Sequence, residues 1–164
     1  MRFTLVLLVF IFSFQLNAQE TTRSRKAAKT YRAAKSAVAI QDFKSAKALL
    51  EEALVIDQRF VEAWILLGDV SMGLGDKSFA IDAYRKSIPL SPRFSYPMYY
   101  RLANAEHSLG EYSESLQHIR KYLTSKSISE KYRKKANDLK KSCEFSISAK
   151  RKPVSFDPEN LGHS

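Results

Sequence analysis

The sequence predicts an all-α fold in which short antiparallel helix pairs stack into a solenoid of three units, closed by one further helix. Three observations carry this. Small residues recur at one place in successive stretches, at Ala34, Gly68 and Ala103, and at a second place at Ala46, Ala80 and Ser115. Turn residues fall between the two sets, at Asp42, at Gly75-Asp76 and at Gly110-Glu111. Large side chains flank them, with Leu50, Tyr84 and Ile119 in equivalent places. The shift from one set to the next is about 34 residues, a helix–turn–helix period.

The chain opens on MRFTLVLLVFIFSFQLNAQE, with one charge at Arg2, an apolar run from Phe3 to Leu16 and a small residue at Ala18. An apolar run within roughly 7 to 15 residues, followed by a small residue, is a secretory leader rather than a spanning helix of about 20 residues. Residues 1–18 are therefore predicted to be a signal peptide cleaved after Ala18, which would send the chain to the periplasm.

The repeats are placed at about 27–60, 61–94 and 96–128, with one extra residue at Ser95. Small residues at the helix crossing let two helices approach closely, and large apolar residues fill the space beside it. Gly75 and Gly110 stand where a helix ends in the left-handed region, and Asp76 is placed to cap the helix that follows. Pro89 lacks an N–H, and its ring crowds the carbonyl of Arg85, so the second helix of the middle unit is expected to kink or stop between Arg85 and Leu90. Ser127 and Glu130 have capping-box spacing, and Tyr132, Ala136, Leu139 and Cys143 then recur on one face. A final helix over 129–145 is predicted, its other faces carrying lysines as the closing helix of a solenoid requires. Pro153, Pro158 and Gly162 break any periodicity after it, so 146–164 is predicted to be an extended tail.

The Lys and Arg residues number 27 against 17 Asp and Glu, a net charge of +10. Such a balance raises nucleic acid as a partner, but the leader directs the chain away from it and the charge is dispersed over separate stretches. Neither nucleic acid nor a membrane span after leader removal is expected; a weak attraction to anionic polymer or lipid is. Cys143 has no partner within the chain and is read as a packing residue. His107, His118 and His163 show no ligand spacing and are read as surface or rim residues, Glu51 and Glu52 point away from each other on a helix, and no phosphate-binding or nucleophile motif is present. No enzyme activity, cofactor or metal is predicted.

Trp64, Leu67, Gly68, Gly75, Asp76, Ala80, Tyr84 and Pro92 together resemble the tetratricopeptide repeat. In that register the first helix of each unit lines a concave groove, which here receives Tyr31 and Lys35, then Ile65, Asp69 and Met72, then Tyr100, Asn104 and His107. Tyr31, Ile65, Met72 and Tyr100 are expected to hold a peptide by apolar contact, with Lys35, Asp69 and Asn104 giving direction. Tetratricopeptide proteins that clamp a C-terminal carboxylate use an Asn where Asp69 stands, a departure that weighs against such a clamp.

The layout of leader, three repeats and a basic last helix running into KKSCEFSISAKRKPVSFDPENLG resembles the N-terminal part of a family of Bacteroidetes envelope proteins. The resemblance implies a TolB-like β-propeller and a peptidoglycan-binding OmpA-like domain after this segment, as in relatives of the type IX secretion and gliding anchor. It implies a scaffold associated with the outer membrane that docks a protein partner. The alternative is a free-standing periplasmic adaptor or chaperone-like module that captures exported peptides.

Overall fold

The computed structural model describes residues 21–151, without the side chains of 92–95. The expected leader and residues 152–164 of the expected tail lie outside the described residues. Seven α-helices make up the described residues, with no strand among them: α1 (Arg25–Ala39), α2 (Phe43–Ile56), α3 (Val61–Gly73), α4 (Lys77–Ser87), α5 (Pro92–Leu109), α6 (Tyr112–Leu123) and α7 (Glu130–Arg151). They stack in chain order as the pairs α1–α2, α3–α4 and α5–α6, with α7 against α6. This is the predicted all-α solenoid.

The turns inside the units follow from local chemistry. Gln41, Gly75 and Gly110 occupy the same place in the three units and all adopt positive φ, at 61°, 80° and 86°. Glycine holds that conformation without a Cβ penalty, whereas Gln41 bears the strain. Asp42 and Asp76 then cap α2 and α4, their carboxylates accepting from the Ser45 and Phe79 amides at 3.1 and 3.3 Å. Glu111, in the third unit, makes no such bond.

The small residues act at the crossings as expected. Ala34, Ala46, Ala80, Ala103 and Ser115 are all fully buried. Phe60, at the boundary between the first two units, is fully buried against Tyr31, with ring centroids 4.8 Å apart. Burial of that size stabilises the fold by roughly 2 to 3 kcal/mol.

Proline positions set two helix boundaries. The α4 helix ends at Ser87 and passes into a 3-10 turn over Ile88–Leu90, whereas α2 continues to Ile56. The early stop is the one expected of Pro89. At the next boundary α5 starts at Pro92, one turn ahead of the third repeat, whose register is kept at Ala103, Gly110 and Ser115. Ser91 is extended at φ −153° and Pro92 takes the first helical position, where a missing N–H costs nothing.

The last helix also departs from expectation. The Ser127–Glu130 capping box does not form; Ser127 Oγ lies 3.2 Å from Ser125 Oγ, and the first turn closes between the Arg133 amide and the Ser129 carbonyl at 2.9 Å. Nor does the helix give way to a tail at 146. It continues to Arg151, because Lys150 Nζ donates to the Gly110 carbonyl at 3.2 Å and lies 4.8 Å above the Tyr112 ring. Two contacts with α6 and its preceding turn thus hold the final turns in place. Inside, Cys143 is fully buried and meets Ser115 Oγ at 3.2 Å, and burial pushes its thiol up in pKa. It is a packing residue, as predicted.

Candidate functional site

Helices α1, α3, α5 and α7, with Tyr122 of α6, line two adjoining depressions. The first, of about 350 Å³, is bounded by Tyr31 of α1, by Glu62, Ile65 and Asp69 of α3, and by Pro97 and Arg101 of α5. The second, of about 510 Å³, is bounded by Tyr96, Tyr100, Tyr122 and Tyr132. Pro97 and Arg101 border both, so the two depressions adjoin at these residues.

The polar centre of the groove is assembled from the core outward. Gly68 has no side chain, and the Tyr84 ring fills that space: a Cβ on Gly68 would fall 2.3 Å from the ring. From there the Tyr84 hydroxyl donates to Asp69 Oδ1 at 2.7 Å, and Arg101 Nε donates to the same oxygen at 2.8 Å. Burial, reinforced by the charge and hydrogen bond of Asp69, pushes the Tyr84 phenol far up in pKa, so it remains a donor at any physiological pH. One carboxylate oxygen therefore ties α4 and α5 to α3. Arg101 has no partner besides Asp69 among the described residues, which leaves its two terminal amines for a ligand.

The second depression is aromatic. Tyr100 packs against Tyr122 and Tyr132, with centroids 5.1 and 6.2 Å apart. Tyr122 is nearly buried, and burial, followed by the neighbouring Tyr100 and Tyr132, raises its phenol pKa. Tyr96 and Tyr132 remain 43 and 48 % exposed, so two ring edges face solvent at the mouth.

Of the residues that the repeat register assigns to the groove, the structure brings Tyr31, Ile65 and Asp69 together in the first depression and places Tyr100 in the second. Lys35 lies 5.9 Å above the Tyr31 ring. Met72 packs against the core around Tyr84, Met98 and Leu102. Asn104 and His107 are engaged elsewhere. Asn104 Nδ2 donates to the Tyr100 carbonyl one turn back at 2.7 Å, and His107 Nε2 lies 2.9 Å from Ser142 Oγ of α7.

Arg101, Tyr122 and Tyr132 are groove residues that the register missed. The density of tyrosine at 96, 99, 100, 122 and 132 was a signal that could have found the second depression. His118, read as a surface or rim residue, is a rim residue with partners: its Nδ1 lies 2.7 Å from Oε2 of the fully buried Glu106, and its ring stacks on Tyr99 at 5.8 Å.

Tetratricopeptide repeat models match residues 21–93 and 96–128. Among curated protein sequences, none matches the chain. Several solved structures share the fold. The Sgt2 tetratricopeptide domain from Aspergillus fumigatus superposes with a TM-score of 0.65 at 14% identity, over 85% of this chain and 92% of that one. The Yersinia enterocolitica type III secretion chaperone SycD, in complex with a peptide of the translocator YopD, gives 0.67 at 12% identity, over 76% and 96%. The first repeat domain of Spaghetti (RPAP3), bound to the HSP90 peptide SRMEEVD, gives 0.67 at 13% identity, over 76% and 95%.

Proposed function

Because the chain belongs to the tetratricopeptide repeat family, we propose that it is a non-catalytic docking module that holds an extended peptide segment of a partner protein in the groove across α1, α3, α5 and α7. The single observation that carries this reading is that Pro97 and Arg101 border both depressions. An apolar and aromatic lining, with one cationic group anchored in the middle, suits a segment that offers a large apolar anchor for the tyrosine pocket and a carbonyl or carboxylate for Arg101. Two structural neighbours are occupied by peptides, one of a translocator and one of HSP90, which supports a peptide as the ligand here.

The leader expected at residues 1–18 supports a periplasmic location for this activity, and the resemblance to envelope proteins supports a partner from an outer-membrane-associated complex. The neighbouring secretion chaperone favours the second reading, an adaptor for exported peptides. Sequencing the amino terminus of the protein recovered from a periplasmic extract tests the location: a start at Gln19 agrees with it, and an intact leader on the recovered protein contradicts it.

Selection from a displayed random-peptide library tests the groove. Peptides selected on the native chain should lose about tenfold or more in affinity on Tyr132→Ala and on Arg101→Ala, since buried aromatic and Arg anchors carry most interface energy. Undiminished binding by both variants would contradict the assignment.

A further inference from the structure

The outer side of α7 carries an arrangement that the groove does not use. Ala136 and Cys143, both fully buried, mark its inward face. At 3.6 residues per turn, Lys134, Lys141 and Phe145 lie within about 40° of the opposite direction. Phe145 is 74 % exposed, in a helix that runs on to Arg151 beyond it. Lys131, Lys134 and Lys141 are exposed along the same side and Lys135 on its flank, and none of the four has an ion-pair or hydrogen-bond partner among the described residues. Asp138 lies among them, and Glu130 is exposed on the same side in the first turn of the helix. Glu144 faces away from this ridge, held by Arg120 at 3.2 Å and near Lys140 at 3.8 Å.

We propose that this face of α7 docks on the surface of an anionic phospholipid bilayer, with Phe145 entering at the headgroup level and the lysines meeting the phosphates. Three features favour a lipid surface over other anions. The cations are all lysines, compact point charges suited to a diffuse anionic surface rather than to a forked, bidentate contact. They form a ridge along one helix, the geometry that lies flat on an interface. The exposed aromatic ring gains from leaving water at a headgroup boundary, and it has no such gain on a soluble polyanion.

The opposite end of the solenoid provides an internal control. On α1, Arg25 and Lys29 also stand exposed, away from the buried Ala27 and Ala34. If charge alone attracts the protein to anionic membranes, these residues should matter as much as those of α7.

The test is co-sedimentation of the chain from Gln19, which holds every described helix, with vesicles of phosphatidylcholine alone and vesicles containing phosphatidylglycerol. The expected result is binding to the anionic vesicles at least about tenfold above the neutral ones, weakening as salt shortens the range of the charges. Lys134→Gln with Lys141→Gln should reduce it about tenfold, and Phe145→Ser about threefold or more. Arg25→Gln with Lys29→Gln should leave it unchanged. All of these positions are exposed, so the helical circular dichroism and melting of each variant should match the parent and separate loss of binding from loss of fold.

Three outcomes would overturn the proposal. One is no preference for anionic vesicles. A second is an equal loss in the α1 variant, which would mean general charge attraction. The third is binding that needs the lysines but not Phe145 and is matched by soluble polyphosphate, which would mean a polyanion site.

Discussion

The Tyr84 ring occupies the space where a side chain on Gly68 would stand, with a Cβ there only 2.3 Å from the ring carbon Cε1. Tyr84 in turn holds Asp69, and Asp69 holds Arg101, so a backbone feature of α3 sets the polar centre of the groove. Gly68→Ala should therefore cost about 1 to 2 kcal/mol net, overpacking outweighing the gain in helix propensity. Tyr84→Phe keeps the packing and loses only the hydrogen bond to Asp69, at a cost of about 1 kcal/mol. Chemical denaturation of both variants checks the order. A Gly68→Ala variant as stable as the parent would mean that Tyr84 moves aside freely.

A second prediction concerns the buried Glu106. Arg85 Nη2 donates to its Oε1 at 3.0 Å and His118 Nδ1 lies 2.7 Å from its Oε2, which joins α4, α5 and α6. Arg85 and His118 both reach solvent, whereas Glu106 is fully buried. Removing the cation strands a buried charge, and neutralising the carboxylate strands none. Arg85→Met should cost about 3 kcal/mol, and Glu106→Gln about 1 kcal/mol. Equal losses in urea unfolding would show that the charge of Glu106 is satisfied without Arg85.

Stability should fall in alkaline solution. Burial raises the pKa of Tyr84, Tyr122 and Cys143 above the ordinary values of 10.0 for the phenols and 9.0 for the thiol. Above those ordinary values the unfolded chain loses these protons while the folded chain keeps them. The folded state then binds more protons, and stability drops as pH rises. The melting temperature should be level with respect to these groups below about pH 8 and decline above about pH 9. The Tyr84→Phe variant should decline less steeply. An identical slope in that variant would remove Tyr84 from the explanation.

What was legible in the sequence was the part fixed by local sterics. Ala34, Gly68 and Ala103 revealed the crossings because only small residues fit there, and Pro89 revealed the end of α4 because a proline cannot continue the hydrogen-bond ladder. The groove was legible where the register alone places a side chain, as at Tyr31, Ile65, Asp69 and Tyr100. In α5, His107 turns to Ser142 of α7, whose continuation past Phe145 depends on tertiary contacts of Lys150 that no local pattern announces. Arg101 was invisible for a related reason: its role comes from Asp69 on a neighbouring helix, a pairing across units that periodicity does not encode.

Thermal melting of Tyr100→Ala and Ala80→Leu separates groove from core. Ala80 is fully buried at a helix crossing, so Ala80→Leu should lower stability by about 1 to 3 kcal/mol through overpacking. Tyr100 is half-buried with one side open to the groove, and Tyr100→Ala should cost less in stability while weakening a bound peptide by about 1 to 3 kcal/mol. Equal losses of melting temperature would make Tyr100 a core residue.

The central claim, that a peptide segment lies along α1, α3, α5 and α7, is tested most directly by mapping amide chemical shifts of the chain as a library-selected peptide is added. The largest shifts should fall around Tyr31, Ile65, Asp69, Arg101 and Tyr132, on the helices that border the two depressions. Shifts concentrated instead around Leu54, Val55, Trp64 and Lys86, which line a separate pocket among α2, α3 and α4, would contradict it.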